Sequence, residues 1–303
     1  MEVILPDKVI LEGDKMKHPK LKVIMLLYLI VVTVCAFILA LLQRSISMNI
    51  GVLLLIIFVA AIPVAVGIFK IMIALEMKKP YAKLHKEFMD EIWTNGYTDK
   101  VRELGEQALA ADDAGEKIEF TYLKEFCFYL SDYYNLMKQH DRVFSVMRHV
   151  DGQELVSRSV KFMDGGMSVL TYFGVLMEAA RGLNSKETAA NIMSDAAPYL
   201  EKKYNMDILS MMADVTYYNY YVTMGGYDEA KKYADKLMSY KSLGVEKFSS
   251  KYYAAAEIVM LTEGDKEKAR AILDQGWSMS DRDKAVVRQA FNEFYRRLGL
   301  AIK

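Results

Sequence analysis

The sequence predicts an all-α protein: a two-helix transmembrane hairpin followed by an α-solenoid of stacked helix pairs. Three observations carry that prediction. Two apolar runs of membrane-spanning length lie between Val23 and Leu75. Apolar side chains recur at three- and four-residue steps through the rest of the chain, with no sustained strand-like alternation. Helix breakers then punctuate that remainder at near-regular intervals.

The first run, Val23 to Leu42, has no charged side chain. About 20 residues rising ~1.5 Å each cross the ~30 Å hydrocarbon layer. The second run opens near Ile50 and continues to Leu75, interrupted only by Lys70, whose amine is placed to reach the far headgroups. Pro63 is tolerable inside it, because neighbouring helices satisfy the freed carbonyl. Only Gln43 to Asn49 connects the runs, which leaves a tight hairpin. Ala36/Ala40 and Ala61/Ala65 offer small residues for packing between the spans.

Lysines set the orientation. Lys8, Lys15, Lys17, Lys20 and Lys22 precede the hairpin, and Lys70, Lys78, Lys79, Lys83 and Lys86 follow it, while the connection holds only Arg44. Positive residues stay on the cytoplasmic side, so both termini are expected inside, with the plasma membrane as the expected site. The same lysines are available to anionic lipid headgroups. The predicted organisation is a cytoplasmic tail at 1–22, the hairpin at 23–75 and a cytoplasmic helical domain at 79–303. A cleaved signal peptide fits less well, since the run is too long and a second span follows directly. No acid, histidine or mid-membrane base stands in the spans, which argues against a transporter or channel.

Composition agrees with two compartments. Hydrophobic residues make up 53% of the chain, above the ~45–50% of soluble domains, yet 26% is charged. Lys+Arg and Asp+Glu balance at 39 each, so no basic field draws nucleic acid, and none is expected as a partner. Cys35 and Cys127 suggest neither a disulfide framework nor a metal knuckle.

In the helical domain, Tyr122, Phe126, Tyr129, Tyr133 and Leu136 mark one buried face of a helix over Phe120 to Lys138. Pro80 separates this domain from the second span. Pro198 is expected to kink a helix running from Ser185 to Tyr204. At the chain's end Val287, Ala290, Phe291, Phe294 and Leu298 form another stripe, with Ser280 and Asp283 as a capping box. Breakers stand at Asn95-Gly96, Gln139-His140, Gly182-Leu183-Asn184, Gly225-Gly226 and Glu263-Gly264. A small or apolar residue follows each: Val101, Val143, Ala189, Ala230 and Ala269, at intervals of 42, 46, 41 and 39 residues. A single pair leaves its apolar face in water, whereas stacked pairs share a core.

Gly225-Gly226-Tyr227-Asp228-Glu229-Ala230-Lys231-Lys232-Tyr233 and Gly264-Asp265-Lys266-Glu267-Lys268-Ala269 resemble the turn and second-helix start of the tetratricopeptide-repeat (TPR) family. Tyr217 and Tyr221, then Ala256 and Met260, partly match the family's first-helix positions. Tyr218 and Glu257 replace its first-helix glycine, the closing proline is absent, and the intervals exceed the family's period of about 34. The similarity covers Asp207 to Gln275.

That resemblance implies a protein or peptide partner on the concave face lined by first helices. Eleven and eight residues before the anchors stand Asp132, Asn135, Glu178, Arg181 and Asn219, the expected partner-binding groove. The sequence leaves open whether this face carries that row or is filled by the chain's own C-terminal helix. One member of each pair Tyr133-Tyr134, Tyr217-Tyr218, Tyr220-Tyr221 and Tyr252-Tyr253 belongs in the core and the other is available to line a groove. His18, His85, His140 and His149 lack metal-ligand spacing, and no phosphate loop, dinucleotide fingerprint or nucleophile elbow occurs. No metal, cofactor or enzymatic activity is expected. The function implied is a membrane-anchored scaffold. A structural subunit of a larger membrane complex and a helical enzyme or small-molecule binder stand as alternatives.

Overall fold

The computed structural model describes residues 75, 77–161, 166–241 and 248–302. The predicted 1–22 tail and, but for Leu75, the 23–75 hairpin lie outside the described residues. Among the described residues no helix is long and apolar enough to cross a membrane. Residues Lys83–Lys303 belong to one compact unit.

All regular structure among the described residues is helical. Five pairs follow in order: α1 (Ala82–Asn95) with α2 (Asp99–Asp113), then α3 (Phe120–Leu136) with α4 (His140–Met147). After an intervening α5 (Gly152–Lys161) come α6 (Met167–Gly182) with α7 (Lys186–Leu200) and α8 (Asp207–Met224) with α9 (Tyr227–Ser239). The last pair is α10 (Ser249–Thr262) with α11 (Lys266–Met279), and α12 (Ala285–Arg297) closes the chain. First helices of successive pairs pack side by side, α3 on α6, α6 on α8 and α8 on α10.

The repeat anchors sit where helix packing demands small or compact apolar groups. Val101, Val143, Ala189, Ala230 and Ala269 all lie in the opening turn of a second helix and all are fully buried. Each intra-pair turn reverses through one left-handed residue: Gly96, Lys138, Asn184, Gly225 and Gly264, with φ of 81°, 59°, 52°, 80° and 68°. That conformation lets the chain leave a first helix while its last carbonyls are still satisfied. Three second helices then start on a side-chain cap: Thr98 accepts from the Val101 amide, Ser185 from that of Thr188 and Asp265 from that of Lys268.

First and second helices differ in what they bury. The stretch Lys251 to Val259 of α10 is buried at every position, as befits a helix covered on all sides. In contrast α9 buries only Ala230, Ala234 and Leu237, a single stripe at four- and three-residue steps. Like α10, α3 is buried on more than one side: Tyr122, Phe126 and Tyr133 are buried as predicted, but Leu123, Cys127, Leu130 and Tyr134 on its other side are buried too. One buried face was an underestimate, because a first helix meets its own partner and both neighbouring pairs.

Three local expectations are corrected. The helix predicted over Ser185 to Tyr204 ends at Leu200, with Pro198 in its last turn. Ser280 and Asp283 do not cap α12, which starts at Ala285. The Ser280 hydroxyl instead donates to the Gly276 carbonyl at 2.8 Å. Finally, α5 was not anticipated, and it accounts for the long 46-residue interval. Its start is marked by Asp151, whose carboxylate accepts from the Gln153 and Glu154 amides at 2.8 and 3.1 Å.

The C-terminal α12 has two unlike sides. Phe291, Tyr295 and Leu298 enter a core with Ala256, Val259, Ala269 and Leu273 of the last pair. From its other side, Gln289 bonds the Tyr97 amide and Arg297 approaches Glu178 of α6, while Phe294 stays on Tyr253 of the last pair.

Candidate functional site

Helices α6, α8, α10 and α12, with the turn from α3 into α4, line a cavity of about 450 Å³. Its floor is a polar network built on Arg181 of α6. One guanidinium nitrogen donates to the Asn219 side-chain oxygen at 2.7 Å, and another donates to the Glu257 carboxylate. Glu257 also accepts from the Tyr218 and Tyr253 hydroxyls, each at 2.7 Å. The two rings flank the guanidinium, with centroids 5.7 and 5.8 Å from its central carbon.

Arg181 and Glu257 are only 17% and 11% exposed, so their charges depend on each other. Burial opposes the Arg181 charge. Glu257 and the surrounding hydroxyls outweigh it and hold the guanidinium above its ordinary range. Burial first, then Glu257, drives both tyrosine hydroxyls up, so they remain donors. The floor's hydrogen-bonding capacity is thus spent largely within itself.

The rim has capacity left. Lys138 lines the opening, and no ion pair with its ammonium occurs among the described residues. Arg297 binds Glu293 of its own helix at 3.0 Å and stands only loosely, at 3.7 Å, from Glu178, which is 41% exposed. His140 donates from Nδ1 to the Asn135 side-chain oxygen at 3.0 Å. Its ring lies against Gly182, where a Cβ would stand 2.3 Å from Nε2, so no larger residue fits there. Burial, then Arg297, lowers the His140 pKa and favours the neutral ring. Phe294 stacks on Tyr253 with centroids 4.5 Å apart, which gives the cavity an aromatic wall.

Of the five residues predicted to line the groove, Glu178, Arg181 and Asn219 line the cavity. Asp132 and Asn135 do not. Asp132 accepts from the Tyr97 hydroxyl at 3.0 Å, away from the opening. Asn135 is buried, and its amide donates to the Val175 carbonyl at 3.4 Å. Glu178 and Arg181 of α6 and Asn219 of α8 thus share one cavity, whereas on the α3 side His140, and not Asn135, lines it. The C-terminal helix α12 contributes Phe294 and Arg297 to the lining of the same cavity.

Lys138, His140, Tyr218, Tyr253, Glu257 and Arg297 were not assigned to the groove in advance. A signal existed for two of them. Tyr218 and Glu257 stand where the similar repeats have glycine, and they are bonded to each other across 39 residues, the interval between their anchors. The tyrosine pairs do not divide into one core and one groove member: Tyr133, Tyr134, Tyr252 and Tyr253 are all buried, and Tyr218 belongs to a core cluster as well as to the cavity. Tyr218 and Tyr253 face the cavity, while Tyr217 and Tyr221 stack on Tyr233.

Elsewhere His149 is buried and pairs with Asp112 at 2.7 Å, and His85 pairs with Glu125 at 2.7 Å. These contacts join helices, and no cluster of metal-ligating residues exists among the described residues. Comparison with family models, curated proteins and solved structures gives no match.

Proposed function

We propose that the chain is a membrane-tethered binding scaffold: the N-terminal hairpin holds a TPR-like helical domain at the cytoplasmic face, and the concave cavity receives part of a protein or peptide partner. The observation that carries this reading is the convergence of Glu178, Arg181 and Asn219, predicted from repeat register alone, on one cavity. Its size lies within the ~300–1,000 Å³ of ligand sites. A rigid, self-satisfied floor beneath a rim of Lys138, Arg297 and Glu178 suits recognition, because the floor needs no rearrangement when a ligand enters. Tethering raises the encounter rate with partners that share the membrane.

The half-buried His140 beside an enclosed cavity favours a second reading, a small-molecule binder. The His140 ring is committed to Asn135 and Gly182, and it has no carboxylate partner of its own among the described bonds. Binding is therefore the better-supported activity of this cavity.

The test places a photo-crosslinking residue at Lys138, on the rim, or at the exposed Lys232 of α9, in the full chain within its native membrane. A protein adduct formed only from position 138, and diminished by Glu178→Ala, is the expected result. Identical adducts from both positions, or none from 138, would remove the cavity from the binding surface. A membrane-permeant crosslinker that recovers only a metabolite from 138 would favour the second reading.

A further inference from the structure

Two ends of the helical domain, 192 residues apart, are joined by one side chain. The Gln289 carboxamide of α12 accepts from the Tyr97 amide at 2.6 Å and donates to the Tyr97 carbonyl at 3.3 Å. Gly96 makes the approach possible: a Cβ there would stand 2.2 Å from the Gln289 oxygen, and the residue's φ is +81°. Lys284 lies over the Trp93 ring at 5.6 Å, and Arg297 stands 3.7 Å from Glu178. The Gln289 bonds are half-buried, Trp93 and Lys284 are exposed, and the Arg297–Glu178 pair is long.

The opposite side of α12 is unlike this. There Phe291, Tyr295 and Leu298 are packed in the apolar core of the last pair. Separating that side exposes buried aromatic surface, whereas separating the Gln289 side exposes groups that water satisfies equally well. The cheap motion therefore keeps α12 on α10 and α11 and parts it from the turn between α1 and α2.

From this asymmetry we infer that Gln289 and the Tyr97 backbone form a reversible clasp, which closes the concave face into a ring and gates entry to the cavity. The gating role rests on the cavity's being a binding site; the clasp itself does not. Release widens the opening, and a ligand that fills the cavity competes with closure, so occupancy and the open ring are coupled.

A cysteine placed in the cavity reads the clasp without any partner. In the full chain with Cys35→Ser and Ser250→Cys, the rate of alkylation by a bulky maleimide reports access, and the fully buried Cys127 serves as an internal control. Gln289→Ala removes both bonds, so position 250 should react faster by on the order of 10-fold while Cys127 stays unreactive. Gln289→Glu keeps the acceptor and loses the donor, so an intermediate rate is expected, and it decides the matter if the alanine variant folds poorly. Hydrogen exchange of the Tyr97 amide should accelerate in step. Equal alkylation with and without the clasp overturns the inference. So does acceleration that Cys127 shares, because it reports general loosening. A maleimide needs no partner, so failed crosslinking at position 138 leaves this outcome untouched.

Discussion

The floor of the cavity and the Tyr97 clasp are both polar, both join helices distant in sequence, and both lie on the concave side. They are built to opposite ends. At the floor, Arg181 and Glu257 are charged, nearly enclosed and saturated by Asn219, Tyr218 and Tyr253. At the clasp, a neutral carboxamide meets one peptide group beside half-exposed side chains. Losing one member of the floor strands a charge away from water. Opening the clasp strands nothing. The contrast shows how one surface holds a fixed template and a movable entrance, with charge and burial deciding which is which.

The largest effect expected from breaking this contrast is at the floor. Glu257→Ala leaves the Arg181 guanidinium unpaired and deprives two tyrosine hydroxyls of their acceptor. Removing one partner of a buried pair costs roughly 3–5 kcal/mol, which urea unfolding followed by the emission of Trp93 and Trp277 will register. Glu257→Gln retains an acceptor and the side chain's volume, so its loss should be smaller. A cost below about 1 kcal/mol for the alanine variant would mean that water reaches Arg181 freely, and the rigid-floor picture would fail.

A second effect sharpens the clasp side. Asp132 supports Tyr97 from below, accepting from its hydroxyl at 3.0 Å. Burial, then the charge of Glu178, pushes the Asp132 carboxyl up to about 7, against the downward pull of that hydrogen bond. Tyr97, Glu178 and the nearby Tyr129 are the titratable groups that act on it. The folded chain thus holds a proton at Asp132 over a range in which the unfolded chain has lost it. Stability from this group is full below the ordinary carboxylate range, falls as pH rises, and is lost above about 7. Asp132→Asn should remove this slope, narrowing the stability difference between pH 5 and pH 8 by roughly 2 kcal/mol. An unchanged pH profile would place Asp132 in water and detach it from the clasp.

The legible part of the molecule was what depends on periodicity. All five anchors, from Val101 to Ala269, are buried in the opening turns of second helices, because the interval between repeats is fixed by packing that every pair shares. The insertion at α5 escaped because it interrupts that interval, although Asp151 and Glu154 carried the signature of a helix start. In the site, register brought Glu178, Arg181 and Asn219 to one cavity, since their helices keep the repeat spacing. It failed for Asp132 and Asn135, which are turned inward by two contacts that no local pattern announces, the Tyr97 hydroxyl and the Val175 carbonyl. Gln289 was invisible for the same reason. A bond between residues 97 and 289 has no periodic counterpart.

The smallest effect separates the cavity's shape from its chemistry. Lys138 is at once a rim cation and a non-glycine residue at φ +59°, in a turn where three of the other four pairs use glycine. A left-handed backbone costs such a residue about 1–2 kcal/mol, part of which glycine returns as greater freedom in the unfolded chain. Lys138→Gly should therefore raise stability slightly, by less than about 1 kcal/mol, while removing the ammonium from the rim. Lys138→Ala removes the same charge and keeps the strain. If both variants weaken partner capture alike although only the glycine variant gains stability, the ammonium is what the rim contributes. If capture survives in both, the strained turn has no binding role, and recognition rests on Glu178, Arg297 and the aromatic wall of Phe294 and Tyr253.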